Sequence, residues 1–282
     1  MSDFVEAFSS EYSQAFKVGE ILFEEQTGQH HLVIFHNAVF GRVMALDGII
    51  QTTEADEFIY HEMLAHVPLL AHGNAARVLI IGGGDGGILR EVIRHAQVTS
   101  VTLVEIDQRV IDLSRRYLPH HSRGAFDDPR ARVVIDDGLG WVLQTTDTFD
   151  VIICDSTDPI GPGEKLFQQD FYTACKRRLA KGGILATQNG VPFLQLDEVQ
   201  ATARRLKRLF GDWHFYTAAV PTYIGGIMTF GWASDDPAAR RVDTATIQSR
   251  YERAGIVTRY YTPEIHHAAF ALPKYILTAI GK

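Results

Sequence analysis

Between residues 77 and 210 the chain alternates between two patterns of apolar and polar positions. Short apolar runs of strand type occur at 78–81, 101–105, 132–135, 151–155 and 183–188. Between and after them, apolar residues recur at helical spacing, which predicts helices over 87–95, 107–117, 138–144, 169–179 and 196–210. Strands apolar on both faces, alternating with amphipathic helices, predict an α/β protein whose mostly parallel, doubly wound sheet is covered on both sides. Two later segments, 214–219 and 226–233, fit an antiparallel pair closing that sheet.

The first 73 residues follow a different rhythm. Segments 20–25, 31–36 and 42–46 read as short strands, separated by turn signals at Thr27-Gly28, His36-Asn37 and Asp47-Gly48. Asp47-Gly48 between apolar runs is a hairpin signal. Thr53 and Asp56 stand at capping-box spacing ahead of Phe58, Ile59, Met63, Leu64 and Val67, so a linking helix is expected there, with its regularity ending at Pro68. The organisation expected is a small N-terminal β-strand domain with a linking helix, residues 1–73, and a doubly wound α/β domain, residues 74–282.

A chain of 282 residues that is 46% hydrophobic can bury a sizeable core. The net charge of −7 argues against nucleic acid or an anionic membrane as partner and is compatible with a cationic substrate. Cys154 and Cys175 lack metal-ligand spacing and suggest no disulfide framework, so no metal is expected. Residues 1–11 carry Asp3, Glu6 and Glu11 without an apolar core, and no apolar run has the length of a membrane span. A cytoplasmic location is therefore expected.

The most informative stretch follows the first apolar strand: Gly82, Gly83, Gly84, Asp85, Gly86 and Gly87. A glycine-rich turn opening a helix is how a parallel sheet lets backbone approach a nucleotide. Asp85 changes the reading. A loop built for phosphates offers bare N–H groups and a helix N-terminus, and a carboxylate there repels pyrophosphate but welcomes a cation. The loop therefore reads as holding a positively charged nucleoside, with a sulfonium compound leading. Gly82, Gly84 and Gly87 also satisfy the dinucleotide fingerprint, and Glu105 follows about 18 residues later; Asp85 argues against that alternative. No Lys-Ser/Thr pair follows the glycines, which excludes a P-loop. A purely structural turn would spend five glycines in six positions on nothing.

Ligands in open α/β sheets bind beyond the carboxyl ends of the strands. At that edge lie Asp85, then Glu105 and Asp107, then Asp136, Asp137 and Gly138, then Asp155 and Asp158. Asp107 and Asp136 are expected first as helix N-caps. The convergence of acids from four strand ends suits a nucleoside with hydroxyls and a polycationic co-substrate. Glu105 could take both ribose hydroxyls, Asp137 an adenine amino group with the Gly138 N–H beside it, and Asp85 and Asp155 the charged end. Of the other histidines, His95, His120, His121, His266 and His267 are expected to be surface or packing residues, and Trp141 and Trp213 core.

Five motifs in order carry a resemblance. They are Leu46-Asp47-Gly48-Ile49-Ile50-Gln51, Glu57-Phe58-Ile59-Tyr60-His61-Glu62, the glycine loop from Ile80 to Gly87, Asp155-Ser156-Thr157-Asp158-Pro159-Ile160-Gly161-Pro162-Gly163, and Pro221-Thr222-Tyr223. Together they resemble the spermidine synthases, polyamine aminopropyltransferases, of bacterial type, over nearly the whole chain. The resemblance implies a methyltransferase-like Rossmann domain with a small N-terminal β domain. It implies decarboxylated S-adenosylmethionine as aminopropyl donor and co-substrate, putrescine as acceptor, spermidine and 5′-methylthioadenosine as products, and no cofactor. It also implies a homodimer or homotetramer assembled through the N-terminal domains. Carried onto this sequence, Asp155 would be the proton acceptor; Tyr60, His61, Asp85, Asp158 and Tyr223 would line the amine site; and Gln51, Gly82, Gly84, Glu105, Asp137, Gly138 and Pro162 would meet the nucleoside. The family usually places a Gln where this chain has His30, with Gln29 adjacent; a one-residue shift in a strand turns a side chain to the other face.

The chemistry is physically coherent. A primary amine attacks the carbon beside a sulfonium and a neutral thioether leaves, so catalysis reduces to orientation and to supplying an unprotonated amine. An alkylamine like Lys and an ordinary Asp differ by about 6.5 pKa units, so an unaided proton transfer costs roughly 9 kcal/mol. The site must lower the amine pKa and raise that of Asp155. A runner-up is an S-adenosylmethionine-dependent N-methyltransferase on the same fold. A non-catalytic nucleoside- or polyamine-binding regulator is disfavoured by the presence of both Asp155 and Asp158.

Overall fold

A computed structural model describes residues 2–157 and 161–282 of the chain. A hairpin of β1 (Asp3–Ala7) and β2 (Ser13–Lys17) precedes a four-stranded antiparallel sheet of β3 (Glu20–Gln26), β4 (His31–Asn37), β5 (Gly41–Leu46) and β6 (Ile49–Thr53), in that order. The expected Asp47-Gly48 turn joins β5 to β6 with both residues at positive φ, 52° and 82°, the backbone twist a two-residue hairpin needs. Asn37 ends β4 and its side-chain Oδ1 accepts from the Val39 and Phe40 N–H groups. Helix α1 (Glu57–His72) then leads into the alternating region.

That region comprises β7 (Arg77–Gly82), α2 (Gly87–Ile93), β8 (Ser100–Glu105), α3 (Gln108–Tyr117), α4 (Pro119–Ser122), β9 (Ala131–Ile135), α5 (Gly138–Gln144), β10 (Phe149–Asp155), α6 (Gln169–Arg178), β11 (Leu179–Gln188), α7 (Leu196–Leu209), β12 (Asp212–Ala219) and β13 (Ile227–Ser234). The strands lie in the order β12-β13-β11-β10-β7-β8-β9. The five from β11 to β9 are parallel, and the last two in sequence pair antiparallel with each other and with β11. This is the expected methyltransferase-like Rossmann sheet. Side chains alternate across it: Val78, Ile80, Val101, Leu103, Val151 and Ile153 face a core shared with α1 and α2, whereas Leu79, Ile81, Val104, Ile152 and Cys154 face one shared with α5, α6 and α7. Burial on both faces is why these strands read as unbroken apolar runs. Helices α8 (Thr244–Ala254), α9 (Pro263–Ala268) and α10 (Lys274–Ala279) complete the two layers; the sequence reading did not anticipate them.

The N-terminal sheet packs on the alternating region. Leu32, Ile34, Met44 and Leu46 pack on Val110, Leu113 and Leu118 of the α3 region, and Arg109 pairs with Glu25 at 2.6 Å. Gln14 of β2 donates to the Thr222 carbonyl at 2.8 Å, bringing the first hairpin against the loop after β12.

Three local expectations need correction. Helix α1 does not stop at Pro68 but runs on to His72, where Gly73 at φ 82° ends it. A proline removes one helical hydrogen bond, but nearly every residue of α1 is buried, so packing outweighs that loss. Arg250 also donates to the carbonyls of Leu70 and Ala71 in the last turn. Nor is there a capping box: Thr53 ends β6 and donates to Asp56 Oδ1 at 2.7 Å, and Asp56 Oδ2 accepts from the Thr222 N–H and hydroxyl. The start of α1 is thereby tied to the loop carrying Tyr223. Finally, Asp107 caps α3 as expected, but the cap of α5 is Asp137, not Asp136. Trp141 is buried and Trp213 half-buried. Among the described residues, no helix is long and apolar enough to cross a membrane.

Candidate active site

The strand order reverses between β7 and β10, the place where an open parallel sheet leaves a crevice for a ligand. Asp155 ends β10 directly beside Gly82 of β7. Gly82 has φ 81°, and a Cβ there would lie 2.0 Å from the Asp155 carbonyl oxygen, so only glycine lets the two strand ends meet. Above them opens a cavity of about 380 Å³. Its walls come from the sheet edge, from β5 and β6, from α1, from the first hairpin through Glu6, Ala7 and Phe8, and from the loop at Tyr223 and Ile224.

At the β10 end, the Tyr60 hydroxyl donates to Asp155 Oδ1 at 2.5 Å. Burial and the adjacent Asp155 charge push the Tyr60 pKa well above its ordinary value, so it stays a donor. Tyr223 meets Tyr60 edge-on, 5.8 Å between ring centres, and its hydroxyl donates to the Gln51 carbonyl at 2.8 Å. Burial and the neighbouring Asp85 carboxylate push the Asp155 carboxyl up to about 6, against opposing pulls from His61 and Tyr60. Asp85 Oδ1 accepts from the Gly87 N–H at 2.8 Å, and Oδ2 lies 3.1 Å from His61 Nε2.

His61 is held from both sides, because its Nδ1 bonds Glu57 Oε2 at 2.5 Å. Burial disfavours the imidazolium, but Asp85 and Glu57 outweigh it and lift the His61 pKa to about 10. Burial likewise opposes the charge on Asp85, yet His61 holds that carboxyl well below the usual range. Ligand atoms of His61, Asp85 and Asp155 lie within 4.8 Å of one another. An imidazole with a carboxylate on each nitrogen is a cation with no lone pair to give, so this cluster suits an organic ammonium better than a metal.

At the other end of the cavity lie His30, Gln51, Gly84, Glu105, Asp137 and Gly138. Burial pushes Glu105 up to about 7, despite the N–H groups of Asp107 and Ile106 that favour its charged form. His30 is buried and lines the cavity, whereas Gln29 is exposed. Its Nδ1 bonds Asp47 Oδ2 at 2.8 Å, so the turn of the β5–β6 hairpin orients the ring. Asp137 keeps its cavity position while Oδ1 caps α5 through the Gly140 N–H. Of the expected site residues, Asp158 lies outside the described residues, as does the side chain of Pro162; every other one lines this cavity.

Residues 57–243 match the model of the spermine/spermidine synthase domain, and residues 4–54 that of the spermidine synthase tetramerisation domain. The chain belongs to the spermine/spermidine synthase family. Over its whole length it is 62% identical to polyamine aminopropyltransferase 1 of Pseudomonas aeruginosa and 60% identical to a polyamine aminopropyltransferase of Pseudomonas syringae pv. tomato, covering 99% of each. It superposes on a spermidine synthase solved in complex with the transition state analogue AdoDATO, with TM-score 0.93, 38% identity and coverage of 99% of this chain and 95% of that one. A spermidine synthase from Thermotoga maritima gives TM-score 0.90 at 36% identity, over 99% and 94%. Like these family members, the protein is an aminopropyltransferase.

Several residues of the site carried no assigned role in the sequence reading. Glu57 stands four positions before His61, which places both on one helix face, a signal present in the sequence. Arg90, which pairs with Glu57 at 2.9 Å, and Glu6 had no such signal, since each arrives from an element distant along the chain. His121, expected to be a packing residue, is buried, but it stands beside the site: its Nε2 bonds the Thr52 hydroxyl at 2.8 Å and its ring lies 6.0 Å from that of His61.

Proposed function

We propose that the protein transfers the aminopropyl group of decarboxylated S-adenosylmethionine to putrescine, releasing spermidine and 5′-methylthioadenosine. The observation that carries this reading is one cavity with two chemically distinct ends. Glu105, His30, Asp137 and Gly138 stand where a nucleoside would lie, and the buried Asp155, bonded to Tyr60, stands beside Asp85 and His61 at the other end. Glu105 would accept from the ribose hydroxyls and Asp137 from the adenine amino group. Asp85 and Asp158 would hold ammonium groups, with Tyr60, His61 and Tyr223 walling the diamine and Pro162 bordering the nucleoside.

In the reaction, the amine nitrogen attacks the carbon next to the sulfonium, the carbon–sulfur bond breaks, and both electrons leave with a neutral thioether. Asp155 would take the amine proton. With a carboxyl raised to about 6, its gap to an ordinary amine is about 4.4 units rather than about 6.5, so environment removes roughly 3 kcal/mol of the proton-transfer cost. This chemistry requires no cofactor or metal. We also infer a cytoplasmic homodimer or homotetramer assembled through the N-terminal region, supported by the match of residues 4–54 to a tetramerisation domain. Incubation with decarboxylated S-adenosylmethionine or S-adenosylmethionine, each with putrescine, cadaverine or spermidine, tests the reading by product mass. Spermidine and 5′-methylthioadenosine are expected from the first donor with putrescine; N-methylputrescine from the second would replace it with the methyltransferase reading.

A further inference from the structure

We propose that Glu57, gripped by Arg90, is a positioning residue that keeps His61 protonated beside Asp85, so that a cation belonging to the protein stands next to the reacting amine and favours its neutral form. The inference rests on the reading of Asp155 as the proton acceptor. Its foundation is a continuous buried chain of charges. Arg90 forks onto both oxygens of Glu57, at 3.2 Å and 2.9 Å, and its Nε donates to Glu91 at 2.6 Å. Its Nη1 also donates to the His120 and His121 carbonyls, which further fixes the guanidinium. Glu57 passes the constraint to His61 Nδ1, and His61 Nε2 faces Asp85. The ring lies against Gly87, where a Cβ would come within 2.1 Å of it, so only glycine at that position leaves room for the imidazole in this line.

The need for such a device follows from the charges around the amine. A nucleophile placed between Asp85 and Asp155 alone would be held as an ammonium, which has no lone pair to attack with. A cation within about 5 Å works in the opposite direction, by up to about 2.5 pH units at an effective dielectric of 20. This is how a neighbouring positive group activates an amine nucleophile. An imidazole paired with one carboxylate would lose its proton in the alkaline range where neutral amine becomes abundant; the second carboxylate, Glu57, extends the charged form upward. The groups facing His61 are Glu57 and Tyr60 on its own helix, Asp85 from the glycine loop, Arg90 from α2 through Glu57, Asp155 from β10, and His121 from α4. Burial lowers the pKa of His121, so it adds no second cation at these pH values.

The test combines histidine spectra with kinetics on the full-length protein. In ¹³C/¹⁵N-histidine NMR spectra, with His61→Gln identifying the resonance, His61 should be an imidazolium from pH 6 to 9. In Glu57→Gln it should titrate at about pH 7 or below, so that the ring is mostly neutral at pH 8. At pH 8 this variant should lose about tenfold in kcat with putrescine, while KM for putrescine stays level or falls, because the retained carboxylates still attract the ammonium. Glu57→Asp should recover most of kcat, and the affinity for 5′-methylthioadenosine should be unchanged in both variants. A neutral His61 at pH 8 in the wild type overturns the proposal, as does a Glu57→Gln spectrum that titrates like wild type. A kcat loss accompanied by a matching rise in KM also overturns it. Should Glu57→Gln fail to bind 5′-methylthioadenosine, it is misfolded, and the wild-type spectra with Glu57→Asp decide by the same criteria. If wild-type protein gives no aminopropyl transfer at all, the reading of the reaction falls, and this inference with it.

Discussion

Glu105 offers the sharpest quantitative test of the nucleoside end. Its carboxyl is buried at the floor of the cavity and pushed up to about 7 in the unliganded protein. Ribose hydroxyls donating to it would favour the ionised form, so binding should expel a proton over the range in which free Glu105 is protonated. The sign follows directly: the complex holds fewer protons than the free protein, so affinity rises with pH and levels off above about 7. If binding returns the carboxyl to its ordinary value of 4.5, affinity for 5′-methylthioadenosine at pH 5 should be about 75-fold below its plateau, or about 2.5 kcal/mol. Calorimetric titrations from pH 5 to 9, in buffers of different ionisation enthalpy, measure both the affinity and the proton released. Glu105→Gln, which cannot titrate, should bind weakly at every pH and show no slope. A flat wild-type profile, or a slope that persists in Glu105→Gln, would refute the assignment of Glu105 to the ribose.

Asp155→Asn keeps nearly the same volume, so the fold should survive while kcat drops by at least the ~10²-fold typical of a lost general base; wild-type turnover in the folded variant would remove Asp155 from the mechanism. Asp85 should repel the carboxylate that S-adenosylmethionine carries and its decarboxylated form lacks. Two charges near 4 Å interact by about 4 kcal/mol at an effective dielectric of 20, and His61 compensates part of this. Asp85→Asn should therefore narrow the preference between the two donors by about ten- to a hundredfold, and an unchanged affinity ratio would show that Asp85 is not the discriminator. Burial opposes the charge on Glu57, but His61 and Arg90 hold its carboxyl at about 2 in the fold, against 4.5 as an ordinary glutamate. A depressed carboxyl contributes stability that is present above its unfolded pKa and lost as pH falls through the folded one. About 3 kcal/mol should therefore disappear between pH 4.5 and 2, read as a falling urea midpoint; a midpoint constant over that window would show the network to be unpaired in solution.

The local rules of the chain were enough to place most of the scaffold. Apolar runs such as Val78 to Ile81 declare a strand buried on both faces, Asp47-Gly48 declares a hairpin, and the glycine turn with Asp85 marks the strand end at which the cavity opens. The strand and the hairpin depend on residues a few positions apart, and such neighbours remain neighbours in the sequence; the nucleoside reading of the glycine turn is an expectation of the same local kind. Pro68 was misleading for the same reason: its local cost is legible, but the burial that overrides it comes from the rest of the protein. The charge state of the site was not legible at all. That His61 is a cation depends on Asp85 from another element, on Glu57 being clamped by Arg90 from α2, and on burial that excludes water. Likewise, Glu6 reaches the cavity from the first hairpin, which Gln14 fastens to the loop at Thr222. Whether an acid is a base, a cap or an ion-pair partner is set by the dielectric and the charges around it, and these exist only once distant segments have packed together.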